Sequence, residues 1–221
     1  MSDNIDLLKA LERVSKFYTG ADLTKKIAQI EKSLKFKNKL YIGNFINSEC
    51  LGVSMLQSAI KIKQVVGQIN VIIHAIGILN ALPYVLEEDE NIESLSLGAG
   101  NTGKDFDLET NKRIAEFKFA SWKGSDTIRQ NNIFIDFFNI AEYETMKRKC
   151  LYVLSKKQIT KFLDNNRALP SVLSKNKNAY DRFYRINGSR YNTVYEYYRD
   201  KRHLVEIVDL EEIMPKCFRM Y

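Results

Sequence analysis

The sequence predicts an α/β protein whose core elements run helix, strand, strand, strand, helix, strand. Three observations predict this class. Helical segments are expected over residues 5–36, 50–66 and 68–86, short strand-type runs follow between residues 91 and 119, and a helical pattern then leads into the apolar run KCLYVLS. The 221 residues and the 45% hydrophobic content suffice for one domain of this kind with a helical appendage.

The N-terminal region, residues 1–66, is predicted to be helical and to pack on the core or extend from it. Residues 5–36 read as one or two amphipathic helices that break at Thr19-Gly20. Residues 40–47 read as a weak strand or a loop, and residues 50–66 as a helix. The region carries no recognisable chemistry, so it is a candidate dimer arm, core cap or partner-binding element.

The second domain, residues 67–221, begins with the long apolar segment Gln68–Leu86, which predicts a mostly buried helix. Asn70, His74, Gly77 and Ala81 lie along one narrow stripe of it. Its apolar run is interrupted by polar residues and looks too short to span a bilayer. The alternating segment Asn91–Leu97 then predicts the first strand.

The central feature is a predicted β-hairpin. Phe106–Leu108 and Arg113–Phe119 read as its strands, and Glu109–Lys112 as its turn. Because side chains alternate along a strand, Glu116 and Lys118 share one face. The apolar residues of the second strand, Ala115, Phe117 and Phe119, then point to the other face and suit a helix-covered core.

Asp107 on the first strand converges with Glu116 and Lys118 at the end of this hairpin. The two carboxylates can hold a divalent metal, and the lysine places a positive charge beside it. Metal-assisted phosphodiester hydrolysis uses these groups. Asp105 points to the same face and is an alternative first acid or a second metal ligand. The competing interpretation is an exposed hairpin in which Asp107 forms a salt bridge with Lys118.

This pattern, Asp107 followed after eight residues by Glu116-Phe117-Lys118, resembles the PD-(D/E)xK nuclease superfamily, with Phe106 in place of the usual proline. The resemblance implies a restriction-endonuclease-like αβββαβ core, a mixed sheet flanked by helices, with extra N- and C-terminal helices. It also implies Mg²⁺ or Mn²⁺ held by Asp107, Glu116 and the Phe117 carbonyl. Lys118 would position the water or stabilise the developing charge.

Two further residues match positions that are typical of one subset of this superfamily, the subset that resembles the RecB nuclease domain. That subset carries a metal-binding His on the helix before the sheet, here His74, and a Gln-x-x-x-Tyr on the later helix, here Gln130 with Phe134 in the tyrosine position. A lone His on an apolar helix is otherwise usually a core residue. Glu87 or Glu88 is the competing outer metal ligand, although the acidic run EEDE also suits a solvated turn.

The remaining chain completes the core and is strongly basic. Ser125 or Asp126 can cap a helix to about Tyr143, Lys149–Ser155 predicts a buried strand, and Val205–Leu210 predicts a final strand. The segment from Met146 to His203 contains fifteen Lys and Arg and four Asp and Glu, whereas the net charge of the whole chain is +7. The positive charge is therefore concentrated in this segment. Such a basic half favours a polyanionic partner.

Several side chains are candidates for nucleic-acid contact because cations bind phosphates and aromatic rings can stack on bases. In Ala179–Tyr198, which is predicted to be helical, arginines alternate with tyrosines that could equally form the core of the C-terminal helices. The candidate contact residues are Trp122, Lys123, Arg129, Arg182, Arg185 and Arg190.

The segment Gly98–Lys104, GAGNTGK, also fits the first seven positions of a phosphate-binding P-loop. A P-loop needs a helix that starts near Lys104, whereas a strand is expected here. The glycines suit a bent connection instead.

We therefore expect a Mg²⁺- or Mn²⁺-dependent endonuclease or exonuclease that acts on DNA, with RNA not excluded. The resemblance places it in a bacterial defence or restriction system. The alternative is a catalytically inactive nucleic-acid-binding or complex-assembly module. Three scattered cysteines and no signal-peptide pattern favour the cytoplasm, without a membrane partner. A homodimer or partner contact is expected through the N-terminal helices.

Overall fold

A computed structural model describes residues 6–17, 23–98, 103–120 and 126–214. The chain divides into two compact units, Met1–Asn70 and Val71–Tyr221. The helices are α1 (Leu7–Phe17), α2 (Leu23–Leu34), α3 (Lys39–Ser48), α4 (Val53–Val85), α5 (Thr127–Ala141), α6 (Lys156–Leu163), α7 (Leu169–Leu173), α8 (Lys177–Asn187), α9 (Val194–Lys201) and α10 (Leu210–Ile213). The strands are β1 (Ile92–Leu95), β2 (Leu108–Thr110), β3 (Arg113–Lys118), β4 (Arg148–Val153) and β5 (Glu206–Asp209).

The first unit is helical. Arg13 on α1 donates a 2.9 Å hydrogen bond to the Ser58 hydroxyl on α4. The expected strand or loop at residues 40–47 is wrong, because this segment lies in α3. The Asn38 side chain caps α3 by accepting a 2.9 Å bond from the Tyr41 amide, which satisfies a free donor at the start of a helix.

The segments 50–66 and 68–86 are helical as predicted, but they form one helix, α4, which runs without a break for 33 residues. Gly67 lies inside it. In the described part of the chain, α4 is the one helix long and apolar enough by composition to cross a membrane. The expectation that this segment is too short to do so therefore fails.

The segment Gln68–Leu86 was expected to be mostly buried, and this is wrong, because most of its side chains are exposed or only partly covered. Its buried residues Ile78, Ala81 and Val85 pack against the sheet. Ile72 and Ile76 are 51% and 53% exposed. Every side of the segment is apolar, so periodicity does not reveal which face is buried.

The five strands form one mixed sheet in the order β1-β2-β3-β4-β5. β1, β2 and β3 pair antiparallel, whereas β4 runs parallel to β3 and β5 runs parallel to β4. The predicted α/β class with a mixed sheet flanked by helices is confirmed. The helix after Asp126, the strand before Ser155 and the final strand near residue 207 also form as predicted.

Each face of the sheet is covered by its own apolar cluster. Ala115 and Phe117 of β3 point toward α4, as the alternation predicts. Ile114 points to the opposite face, where α5 and the C-terminal helices cover it. Glu116 and Lys118, two and four residues beyond Ile114, therefore face α5.

The first strand of the hairpin has the predicted length of three residues but lies two residues later, so Glu109 and Thr110 of the predicted turn belong to β2. β2 begins at Leu108, so Asp107 directly precedes the strand instead of lying on it, and the chain turns at Asn111 and Lys112. The register pairs Leu108 with Ala115. One further step of that register places Asp107 opposite Glu116.

A buried ionic network closes the turn end of the hairpin. Arg113 binds the Glu90 carboxylate through two nitrogens and donates a third bond, of 2.7 Å, to the Tyr152 hydroxyl. Thr110 donates to the same carboxylate at 2.6 Å. These bonds hold the pKa of Glu90 at about 2 against the effect of its burial, which alone would raise it. The network ties the α4–β1 connection to β3 and β4.

Candidate metal centre

Asp107 is held at the open end of the hairpin by two contacts. Its Oδ2 accepts a 2.9 Å bond from the Phe117 amide, and its Oδ1 lies 3.2 Å from His74 Nε2 on α4. Burial alone would raise the pKa of Asp107, but the contacts from His74 and the Phe117 amide lower it below its ordinary value. Asp107 is therefore a carboxylate at neutral pH.

Three more side chains complete the cluster. The Lys118 ammonium lies 3.1 Å from Glu116 Oε2 on its own strand and 3.1 Å from Asp136 Oδ2 on α5. Lys118 is thus shared between one carboxyl of the sheet and one of the helix that covers it. The competing salt-bridge interpretation of the hairpin named Asp107 as the partner of Lys118, but the structure pairs the lysine with Glu116 and Asp136.

The cluster holds more acid than its two basic groups balance. Burial raises the pKa of Glu116 to about 8, attraction by Lys118 opposes this, and repulsion by Asp136 and Asp107 adds to it. Burial likewise raises the pKa of Asp136. Burial lowers the pKa of Lys118, but the carboxylates of Asp136 and Glu116 raise it well above its usual range. Burial and the mutual repulsion of the three carboxyl groups therefore favour the neutral acids of Glu116 and Asp136, and an added cation would favour the carboxylates instead.

This charge balance suits a divalent cation, which favours oxygen ligands. Asp107 and His74 are 3.2 Å apart, close to the spacing of neighbouring ligands at about 2.1 Å from an octahedral metal. Because the N–H and C=O of a strand residue point to the same side, the Phe117 carbonyl faces the same side as its amide, which binds Asp107. Within the described ranges, no group of three or more His, Cys, Asp or Glu side chains is already placed to hold a metal ion. Glu116 would have to turn from Lys118 to join the pair.

The approach of α4 to the site depends on a glycine. A Cβ on Gly77 would lie 2.7 Å from the ring of Phe119, closer than atoms can pack. The edge of that ring in turn meets the His74 ring, with centroids 6.3 Å apart. Because Gly77 has no Cβ, the Phe119 ring can lie against α4 beside His74.

The other predicted ligands and acids lie elsewhere. The Gln130 amide oxygen accepts a 2.6 Å bond from Arg167, so its predicted catalytic role has no support from this geometry. Asp105 is exposed, and Asp107 is the acid beside His74. Glu87 is wrong as an outer metal ligand, because it pairs at 2.8 Å with Lys112 at the turn end of the hairpin. Glu88 is exposed.

The candidate nucleic-acid contact residues differ in their exposure and in whether the structure describes them. Trp122 and Lys123 lie outside the described residues. Arg185 is exposed on α8, and Arg129 is exposed and pairs with Asp126 at 3.2 Å. Arg190, also exposed, pairs with Asp200 at 3.3 Å.

The side chain of Arg182 makes contacts within the protein. It binds Asn139 at 2.5 Å and lies 5.2 Å from the centre of the Phe138 ring. Most aromatic residues of the same segment are also structural. Phe183 and Tyr197 are fully buried against α5, and Tyr191 and Tyr198 are nearly so. Helical spacing therefore marks packing here, which leaves the more exposed Tyr180 as a stacking candidate.

The P-loop alternative lacks its helix. In the described residues that follow Gly103, the next element is strand β2, and the Lys104 ammonium binds the Leu95 carbonyl. A P-loop instead directs the phosphate to the start of a helix.

Sequence reasoning missed Asp136. The signal was present: Asp136 is the one charged residue in the otherwise apolar run IFIDFF of α5. A carboxyl in a helix that covers a sheet needs a buried cationic partner. That partner is on β3, which no local pattern in α5 reveals.

Comparisons of this chain with protein-family models, with curated proteins and with solved structures find no match.

Proposed function

We propose that this protein is a divalent-metal-dependent nuclease of the PD-(D/E)xK type that cuts DNA. The observation that carries the proposal is the cluster of His74, Asp107, Glu116 and Lys118 at one end of the hairpin, with an excess of buried acid. The order and pairing of the strands support it as well. The helix α4, the strands β1, β2 and β3, the helix α5 and the strand β4 follow one another in the αβββαβ order, with a mixed sheet, that the resemblance implies.

Asp107 and Glu116 would supply carboxylate oxygens to Mg²⁺ or Mn²⁺, with the Phe117 carbonyl and His74 Nε2 as further donors. When bound, the metal polarises the scissile phosphate and lowers the pKa of a water. Lys118 remains protonated because its carboxylate partners raise its pKa. It would therefore act as a fixed positive charge that orients the water or stabilises the charge developing on the phosphate.

A DNA substrate follows from the resemblance and is supported by charge. The segment from Met146 to His203 carries a large excess of Lys and Arg, and Arg185 presents its side chain to solvent on α8. Phosphate contacts of this kind give affinity without sequence preference. A role in bacterial defence or restriction is part of the same proposal.

The test is cleavage of plasmid and single-stranded DNA with Mg²⁺, with Mn²⁺ or with EDTA. Glu116→Ala and Lys118→Ala should each reduce metal-dependent cutting by about 10²–10³-fold. Glu109→Gln is the matched control, because Glu109 lies on the same hairpin but pairs with Lys147 at 2.8 Å, outside the cluster. Cutting that survives both alanine variants would refute the assignment of the site.

One observation favours the alternative of an inactive binding or assembly module. Glu116 is engaged by Lys118, and catalysis would require it to turn. A protein of this second class would bind DNA but would neither bind Mn²⁺ nor cut. Titration of Mn²⁺ by calorimetry therefore separates the two functions.

A further inference from the structure

Lys118 has two carboxyl partners at equal distance, and they lie on different elements. Glu116 is two residues away on β3, whereas Asp136 reaches Lys118 from α5. Oδ2 of Asp136 is fully buried and has no hydrogen-bond partner among the described residues, and its ionic contact there is Lys118 at 3.1 Å. A buried carboxylate oxygen without such a contact would be strongly unfavourable.

This sharing matters because Lys118 and a metal compete for Glu116. While Glu116 Oε2 contacts the Lys118 ammonium, it cannot give the same oxygen fully to a cation. If Lys118 had no second partner, releasing Glu116 would leave a buried, unpaired ammonium, and that cost would oppose metal binding. Asp136 removes this cost, because Lys118 keeps a carboxyl partner after Glu116 turns away.

We propose that Asp136 is a positioning residue that holds Lys118 and so frees Glu116 for the divalent cation. This inference rests on the proposed nuclease function. α5 places Asp136 firmly, since the neighbouring Phe137 and nearby Ile133 are buried in the core. The helix also has a fixed start, where the Asp126 side chain accepts a 3.1 Å bond from the Arg129 amide.

The test uses Mn²⁺ alone as the probe and calorimetric affinity as the measurement, on the full chain. Asp136→Asn keeps the shape but removes the charge, so Lys118 is left with Glu116 and the Mn²⁺ affinity should fall about tenfold or more. In a Lys118→Met background, Asp136→Asn should change the affinity less than about twofold, because no lysine remains to compete. Asp181→Asn is the control, since Asp181 is an exposed aspartate on α8.

Cutting provides a second readout. Raising the Mn²⁺ concentration should restore cutting by Asp136→Asn, whose defect is in metal affinity. It should not restore cutting by Lys118→Met, which lacks the positive charge at the phosphate. If Asp136→Asn does not fold, Asp136→Ser also removes the charge, and its Mn²⁺ affinity and cutting are measured in the same way.

The outcomes are distinct. An equal loss of Mn²⁺ affinity from Asp136→Asn with and without Lys118 would mean that Asp136 acts on the metal directly, and this would overturn the inference. Unchanged affinity in the single variant would overturn it too. Both results leave the nuclease proposal standing if the native chain cuts DNA. Absence of Mn²⁺ binding by the native chain would overturn both proposals.

Discussion

Glu116 should make the protein less stable as the pH rises, and replacing it with glutamine should remove that loss. Its pKa is about 8 in the folded protein, against an ordinary value of 4.5. A folded-state pKa above the unfolded value means that the folded protein holds the proton more tightly. The stability that this proton contributes is complete below the ordinary value and is lost as the pH rises toward the folded value.

The size of the effect follows from the shift. At about 1.4 kcal/mol per pKa unit, the rise of the pKa from 4.5 to about 8 is worth about 5 kcal/mol in all, of which roughly 3.5 kcal/mol is lost between about pH 5 and pH 8. Glu116→Gln cannot release a proton, so its free energy of unfolding should exceed that of the native chain by a margin that grows over this pH range. The physical source is a carboxyl buried beside Asp107 and Asp136 with one shared lysine.

The measurement is urea unfolding in EDTA at several pH values, for the native chain and Glu116→Gln. Glu109→Gln is the control and should follow the native pH dependence, because its carboxyl lies outside the cluster. Added Mn²⁺ should stabilise the native chain more than the glutamine variant, since binding to the folded state adds to its stability. A difference between the native chain and Glu116→Gln that does not change with pH would refute this account of the site.

Two further predictions concern the framework. Arg113→Met should cost about 3–5 kcal/mol of unfolding free energy, because it leaves the buried Glu90 carboxylate without its partner; a loss below about 1 kcal/mol in urea unfolding would contradict the role of this pair. Gly77→Ala should be less stable than Gly67→Ala by about 1–3 kcal/mol, since both gain helix propensity but only the first forces a methyl group into the Phe119 ring. Equal thermal midpoints for the two alanine variants would show that the ring moves away at no cost.

Local patterns in the sequence were enough to predict the core order and the position of the acidic hairpin. Strand periodicity placed Glu116 and Lys118 on one face and Phe117 on the other, and a cap at Asp126 located α5. These features depend on residues that are close together in the sequence. The periodicity of apolar residues and the positions of turn-forming residues therefore predict them directly. His74 was predicted through the resemblance and lies beside Asp107 in the structure.

Local patterns failed where the environment is set by distant parts of the chain. α4 is apolar on every side, so its length and its exposed face could not be read from periodicity. Most of the tyrosines after residue 179 alternate with arginines as a binding surface would, yet they pack on α5. Contacts between elements decide which side of such a segment is buried, and no local pattern encodes them.

The clearest case is the pair of partners around Lys118. The chemistry of Glu116 and Lys118 follows from their spacing on a single strand. That Lys118 also contacts Asp136, which leaves it a carboxyl partner when Glu116 turns away, depends on where α5 packs against β3. The types of residue in the site therefore come from the local sequence. Their ionisation and their availability to a metal come from packing, because burial and distance to other charges set the pKa of each group.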